Sequence, residues 1–274
     1  MLSKEEITRY SKQLLLPEIG KVGQEKLKSA RVLVIGAGGL GCPVLQYLAA
    51  AGVGTIGIVD HDVVDETNLQ RQVLYSTEDV GRLKAIVASE RVSEMNPFVK
   101  CEVASWKLES LNAIEIISSY DIVVDCTDNF ETRYLINDAC ILSNKPFVYG
   151  GVHKFEGQLS VFNFISADKN PGPTYRCAFP EPHPEETMLN CSLTGVIGTL
   201  PGIVGTLQAN EVIKMITGIG DVCSGKILLI NSLTLNFSEI KIQRDENLWC
   251  DIPKSKEELK NKNYFISSES IINS

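Results

Sequence analysis

The sequence predicts an α/β fold: a central, mostly parallel sheet flanked by helices and extended by antiparallel strands toward the C-terminus. Two observations carry the parallel part. Residues 31–60 read as strand, glycine turn, helix and strand, and the run YDIVVD (120–125) is a short apolar strand of the kind buried on both faces. A third observation carries the extension. After Gly151 the pattern changes to two-residue alternation in GQLSVFNFI (157–165), and KILLINS and LNFSEIKIQ form a further antiparallel pair.

The 31–60 unit organises the rest. ARVLVIG leads into GAGGLG, whose spacing Gly36-x-Gly38-x-x-Gly41 lets the backbone turn tightly and brings a helix N-terminus against a phosphate. The helix PVLQYLAAAGV follows. TIGIVD then ends at Asp60, placed to accept hydrogen bonds from a ribose. This is the mark of a Rossmann-like nucleotide-binding fold. Alone it leaves the nucleotide open between NAD and ATP, and close helix–strand packing would also favour the glycines.

Ahead of this unit, residues 3–16 predict a short helix with Ser3 as cap and Glu6 three positions on. Ile7, Tyr10, Leu14 and Leu15 form its apolar stripe, and Arg9 and Lys12 share another face. A second helix is expected around Val22 to Lys28. Behind the unit comes HDVVDETNLQRQVLYSTEDVG (61–81), a polar connection long enough to be a functional loop. Then follow a helix over 83–95, an edge strand from Lys100 to Ala104, a helix over 110–118, the YDIVVD strand, a helix over 130–142 and a strand over 146–151. Ligands of open parallel sheets collect at the carboxyl ends of strands, so Gly36, Asp60 and the segment Asp125 to Asn129 should converge on one crevice.

Residues 166–190 hold Pro171, Pro173, Pro180, Pro182 and Pro184, which exclude regular helix or central strand. A helix over 198–217 is punctuated by Gly198, Gly202 and Gly205, which predicts a close helix crossing or a subunit contact. Residues 254–274 are polar and read as a tail or linker outside the core. The 274 residues, 44% of them hydrophobic, suffice for one large domain. With 26 basic against 34 acidic residues and a formal charge of -8, no basic field exists to gather nucleic acid. No run reaches the length of a membrane span, and MLSKEEITRYSKQ is unlike a secretory leader. Eight cysteines sit singly, many inside apolar segments, which predicts a reduced, cytoplasmic chain rather than a disulfide framework.

Asn68, Arg71 and Gln72 in NLQRQ, Lys84 at the start of the next helix, and Asp128 and Asn129 past the YDIVVD strand would place two cations and a carboxylate around the crevice. Hydride transfer needs few cations at its reacting centre. Attack on the α-phosphate of ATP needs them for the leaving pyrophosphate, together with a carboxylate that holds Mg²⁺.

RYSKQ, GAGGLGCPVLQYLAAAGVG, NLQRQ, VGRLKA, DCTDN and GVIGTLPGIVGTLQANEVIKM resemble, in order, the motifs of the ubiquitin-activating-like adenylyltransferases of the MoeB/ThiF/HesA family, over residues 5 to about 250. The resemblance implies one adenylation domain over 1–253, with N-terminal helices 3–28, a nucleotide-binding core 30–151, a crossover loop 166–194 and a C-terminal helix and strands 195–245. It implies a homodimer that uses ATP and Mg²⁺ to adenylylate the C-terminal glycine of a small ubiquitin-fold sulfur carrier ending in Gly-Gly. The molybdopterin-synthase small-subunit type is the nearer match and the thiamine type the alternative. A non-catalytic scaffold and an NAD-dependent oxidoreductase are the rival functions.

By that resemblance Gly36, Gly38, Gly39 and Gly41 would hug the phosphates and Asp60 the ribose. Asn68, Arg71 and Lys84 would contact the triphosphate, with Gln72 and Asn129 beside them, and Asp128 would serve Mg²⁺. Arg9 and Lys12 match an N-terminal basic pair, one of which reaches into the partner subunit's site. Lysine stands at position 12 where arginine is usual, which keeps the charge but loses the bidentate fork. Segment 166–190 would clamp the carrier tail, and Gly150 and Gly151 would leave its passage open. Cys191 matches a thiol that some relatives use covalently, and a plain structural thiol is the alternative. Relatives also bind zinc through two CxxC pairs. Here these read Thr174-Tyr-Arg-Cys177 and Asn247-Leu-Trp-Cys250, so each keeps one cysteine and, even with His183, no closed zinc site is expected.

Overall fold

The computed structural model describes residues 1–166, 169–180, 195–245, 247 and 252–264. Its centre is one eight-stranded sheet in the order β3-β2-β1-β4-β5-β6-β7-β8. The strands are β1 Arg31–Ile35, β2 Thr55–Val59, β3 Lys100–Ala104, β4 Ile122–Asp125, β5 Phe147–His153, β6 Glu156–Phe162, β7 Lys226–Asn231 and β8 Asn236–Lys241. The first five run parallel, with Ile35 level with both Val59 and Asp125. From β5 onward every pairing is antiparallel. β1 and β4 are buried along nearly their whole length because helices cover both faces, which explains their unbroken apolar runs.

The helices are α1 Lys4–Arg9, α2 Ser11–Leu14, α3 Gly20–Ser29, α4 Gly41–Ala51, α5 Lys84–Met95, α6 Ala113–Ser118, α7 Phe130–Leu142, α8 Tyr175–Ala178, α9 Thr199–Thr217 and α10 Lys256–Asn261. Leu45 and Leu48 of α4, Val87 of α5 and Val204 of α9 build the core on one face of the sheet. Ile117 of α6, Leu135 and Ile136 of α7, Tyr175 of α8 and Leu259 of α10 build it on the other. Among the described residues no helix is long and apolar enough to cross a membrane. The six described cysteines are free, and burial pushes the Cys42 thiol up to about 12.

Four expectations need correction. The 3–16 helix is broken at Tyr10, which ends α1 and precedes α2. The break lets Tyr10 bury itself and accept a hydrogen bond from Asn96 Nδ2 at 2.8 Å, while Ile7 and Leu15 remain exposed. Among the described residues of 166–190, one helical turn, α8, forms behind Thr174. Gly150 and Gly151 do not clear a passage. A Cβ on Gly150 would lie 2.5 Å from Gln208 Cδ, and one on Gly151 2.5 Å from the Tyr149 hydroxyl, so both admit neighbouring side chains.

The fourth concerns residues 254–264, expected in a tail. They dock against the core through Leu259, wholly buried on α10, and Tyr264. The Tyr264 hydroxyl donates to Asp138 Oδ2 at 2.6 Å, and the Lys262 carbonyl accepts from the Ser110 hydroxyl. Asp138, on α7, also accepts two hydrogen bonds from Arg176 of α8, at 2.9 and 3.0 Å. Composition hid this docking because two apolar residues in a polar stretch carry it. Residues 265–274 lie outside the described residues.

Candidate active site

The crevice forms where β1, β2 and β4 end. The turn after β1 carries Gly36 at φ +94°, and a Cβ there would stand 2.6 Å from the Cys126 carbonyl oxygen. A Cβ on Gly41 would overlap the Gly36 carbonyl. These two glycines therefore serve the close approach of turn, strand end and helix. Gly38 and Gly39 differ. Their nearest neighbours are side chains, Gln72 at 3.6 Å and Pro201 at 3.2 Å, and both line the crevice.

Asp60 closes β2 and fixes the turn. Its Oδ2 accepts the Ala37 N–H at 2.7 Å and its Oδ1 the Asp62 N–H at 2.8 Å. Burial raises its pKa, and these two hydrogen bonds oppose that shift. Asp60, His61 and Asp62 bring ligand atoms within 4.8 Å of one another. Asp62 Oδ2 also pairs with Lys84 Nζ at 3.0 Å, the buried ammonium at the start of α5. From the long loop, Arg71 donates to the Thr67 carbonyl at 3.1 Å and Asn68 to the Thr67 hydroxyl at 3.4 Å.

On the β4 side, Asn129 caps α7 by accepting the Thr132 N–H at 2.9 Å. The cap is therefore Asn129, which leaves the exposed Asp128 carboxylate outside it. Gly36, Gly38, Gly39, Asp60, Asn68, Arg71, Gln72, Lys84, Asp128 and Asn129 line one crevice of about 560 Å³, a volume suited to a small-molecule ligand. Arg71 and Lys84 share it with the exposed Asp128 carboxylate. Such a site can bind a polyphosphate, and its acids suit a hard, oxygen-seeking divalent cation.

Arg9 and Lys12 do not join this crevice within the chain. Arg9 donates to the Met95 carbonyl at 2.9 Å and lies over the Phe98 ring, and Lys12 is exposed on α2. Cys191 and Cys250 lie outside the described residues. Cys177 is described, and its sulfur accepts the Thr174 N–H at 3.5 Å and the Asp245 N–H at 3.5 Å. Thr174 and Asn247 stand where a zinc clip would need thiolates.

Sequence reasoning missed Arg133. It lines the crevice, is only 7% exposed, and donates to the Thr127 carbonyl at 2.8 Å. Its one signal was a basic residue inside an apolar helix four positions after the Asn129 cap. Trp106 and Lys107, on the connection after β3, also line the crevice and carried no motif.

The sequence and its fold recur in known proteins. The chain is 49% identical over 243 residues to the sulfur carrier protein adenylyltransferase of Thermus thermophilus, covering 89% of this chain and 90% of that protein. It is 48% identical over 243 residues to the adenylyltransferase and sulfurtransferase MOCS3 of Mus musculus, covering 89% of this chain but 52% of that one. This chain thus spans about half the length of the mouse relative. Among solved structures, E. coli MccB with ATP superposes with a TM-score of 0.76 at 24% identity, over 89% of this chain and 74% of that one, which shows the shared fold. The ThiF family model matches residues 10–251, and the chain belongs to the ThiF family.

Proposed function

We infer that this crevice binds ATP with Mg²⁺ and that the protein adenylylates the C-terminal glycine of a small ubiquitin-fold sulfur carrier, releasing pyrophosphate. The carrier of the molybdopterin-synthase type is the first candidate and the thiamine type the second. One observation carries the reading: Asn68, Arg71, Lys84 and Asp128, drawn from three separate segments, line the same crevice as the glycine turn. Family membership favours ATP over NAD.

In this reading the carrier carboxylate attacks the α-phosphorus, and the protein supplies position and charge rather than a nucleophile. The turn at Gly38 and Gly39 admits the phosphates closely. Arg71 and Lys84 neutralise the departing pyrophosphate, and Lys84 exchanges Asp62 for a phosphate oxygen. Asp128 would hold the divalent cation, which would supply positive charge against the phosphates. Asp60 meets the ribose with the lone pairs that Ala37 and Asp62 leave free.

The protein acts as a homodimer in the same reading, with one of Arg9 and Lys12 of each protomer reaching the crevice of the other. An exposed apolar groove supports this. It is lined by Val73, Ile197, Ile203, Leu207 and Phe237, and Gly202 opens onto it with nothing within 4 Å of a Cβ. Gly198 and Gly205 face inward against Gln70 and the Leu40 carbonyl, so the glycine-marked helix packs closely on one side and leaves the other free. No structural zinc is expected in this reading, because each CxxC pair keeps only its second cysteine, Cys177 and Cys250, and two thiolates are too few for a closed site.

The test is ATP–pyrophosphate exchange, required to depend on a Gly-Gly-ended carrier. Asp128→Ala should lower it on the order of 100-fold. Carrier-independent exchange, or an unaffected Asp128 variant, would refute the assignment.

A further inference from the structure

The DCTDN segment that projects Asp128 is pinned at almost every residue. Gln208 Nε2 donates to the Asp125 carbonyl at 2.7 Å, and the Cys126 N–H donates to the Ile35 carbonyl at 2.9 Å. Asp125 Oδ1 accepts both the N–H and the hydroxyl of Thr127, at 3.0 and 2.6 Å. Asn129 is held by its cap. The Thr127 carbonyl accepts from Arg133 at 2.8 Å.

Arg133 is itself built in. Its guanidinium lies 5.2 Å from the Phe130 ring centroid and 5.3 Å from that of Tyr149. Its Nε stands 3.9 Å from Asp125 Oδ2, and both atoms are buried without a hydrogen-bond partner. Asp125 is wholly buried, and leaving a carboxylate there would be costly without a cation beside it. Burial raises the Asp125 pKa, and Arg133 is the largest opposing influence. The pair thus has two ends: a charge match with Asp125 inside the fold, and a hydrogen bond to the peptide immediately before Asp128.

We propose that Arg133, paired with buried Asp125, is a positioning residue that fixes the Asp128 carboxylate for the divalent cation without touching the nucleotide itself. This rests on the ATP and Mg²⁺ reading of the crevice. The reason is geometric. A carboxylate on an exposed loop residue has many orientations, and metal affinity falls when the peptide carrying it is free to turn. Residues that orient a metal ligand typically matter 10–100-fold for metal affinity. A structural role alone would predict lost stability with metal affinity kept in the folded fraction.

The probe is Mn²⁺, titrated by electron paramagnetic resonance into the full chain bound to a non-hydrolysable ATP analogue. Arg133→Leu should raise the Mn²⁺ half-saturation point roughly tenfold. Affinity for the analogue measured in EDTA should stay at the wild-type value. Arg133→Lys, which keeps the charge, should fall between wild type and Arg133→Leu. A folded Arg133→Leu protein with wild-type Mn²⁺ affinity overturns the proposal. So does loss of metal-free analogue affinity, which would make Arg133 a nucleotide contact. Should Arg133→Leu fail to fold by circular dichroism, Arg133→Lys and Arg133→Gln are read by the same two titrations and the same criteria. A wild-type protein that holds no Mn²⁺ with the analogue would sink the ATP reading as well, which separates the two failures.

Discussion

Tyr264→Phe isolates one hydroxyl in the docking of the segment after residue 251, where the family match ends. The hydroxyl donates at 2.6 Å to Asp138 Oδ2, and the Asp138 side chain has no exposed surface. A buried hydrogen bond to a charged acceptor contributes about 1.5–3 kcal/mol. Phenylalanine keeps the ring packed, so the loss falls on the bond alone. In a protein of this size each kcal/mol moves Tm by roughly 2–4 °C, and a loss of about 2 kcal/mol therefore lowers it by roughly 4–8 °C. Asp138→Ala should cost more, about 3–5 kcal/mol, because it strands the Arg176 guanidinium, which is 2% exposed. Replacing both members, as Asp138→Leu with Arg176→Met, should recover part of that loss, since the buried guanidinium is removed with its partner and only the part-exposed Lys262, 3.4 Å from Asp138, loses an ion pair. The assay is thermal denaturation by circular dichroism, with urea unfolding as a check. A Tyr264→Phe protein melting within ~1 °C of wild type would refute the docking argument.

Further outcomes follow from single contacts. Gly36→Ala should destabilise the fold by about 1–3 kcal/mol from its φ of +94° alone, with overlap against Cys126 added, whereas Gly38→Ala should fold normally and lose nucleotide affinity. Calorimetry with ATP and a melting curve separate the two. Glu102 accepts from Lys100, Tyr120 and Arg31, and these hold its carboxyl below its ordinary value of 4.5, at about 2. A lowered acid contributes stability above 4.5 and loses it as pH falls through about 2. Glu102→Gln should therefore lower Tm at neutral pH, with the gap to wild type closing between those two values. Finally, metal analysis of freshly purified protein should find zinc well below one equivalent, and EDTA should leave Tm unchanged. Stoichiometric zinc would refute the argument that the loss of one cysteine from each CxxC pair removes the site.

The parallel strands, the glycine turn and the antiparallel extension were legible because each is a local pattern. A phosphate-binding turn needs glycine at fixed offsets, and a doubly covered strand needs an apolar run. Charge placement was legible for Arg71, Lys84 and Asp128 because they fall in motif order along the chain. Arg133 was not. Its meaning lies in Asp125 and Thr127, which it meets only when α7 folds back on β4. Gly150 and Gly151 read as open space, yet the fold fills that space with Gln208 and Tyr149 from a distant helix and the same strand. The polar stretch after residue 253 read as a tail because hydropathy averages over neighbours, while docking depends on Leu259, Tyr264 and one buried carboxylate on α7. The chain alone determined which elements form and which chemistry they can carry. The tertiary structure decided which charges are paired, because burial and partner distance belong to segments far apart in sequence.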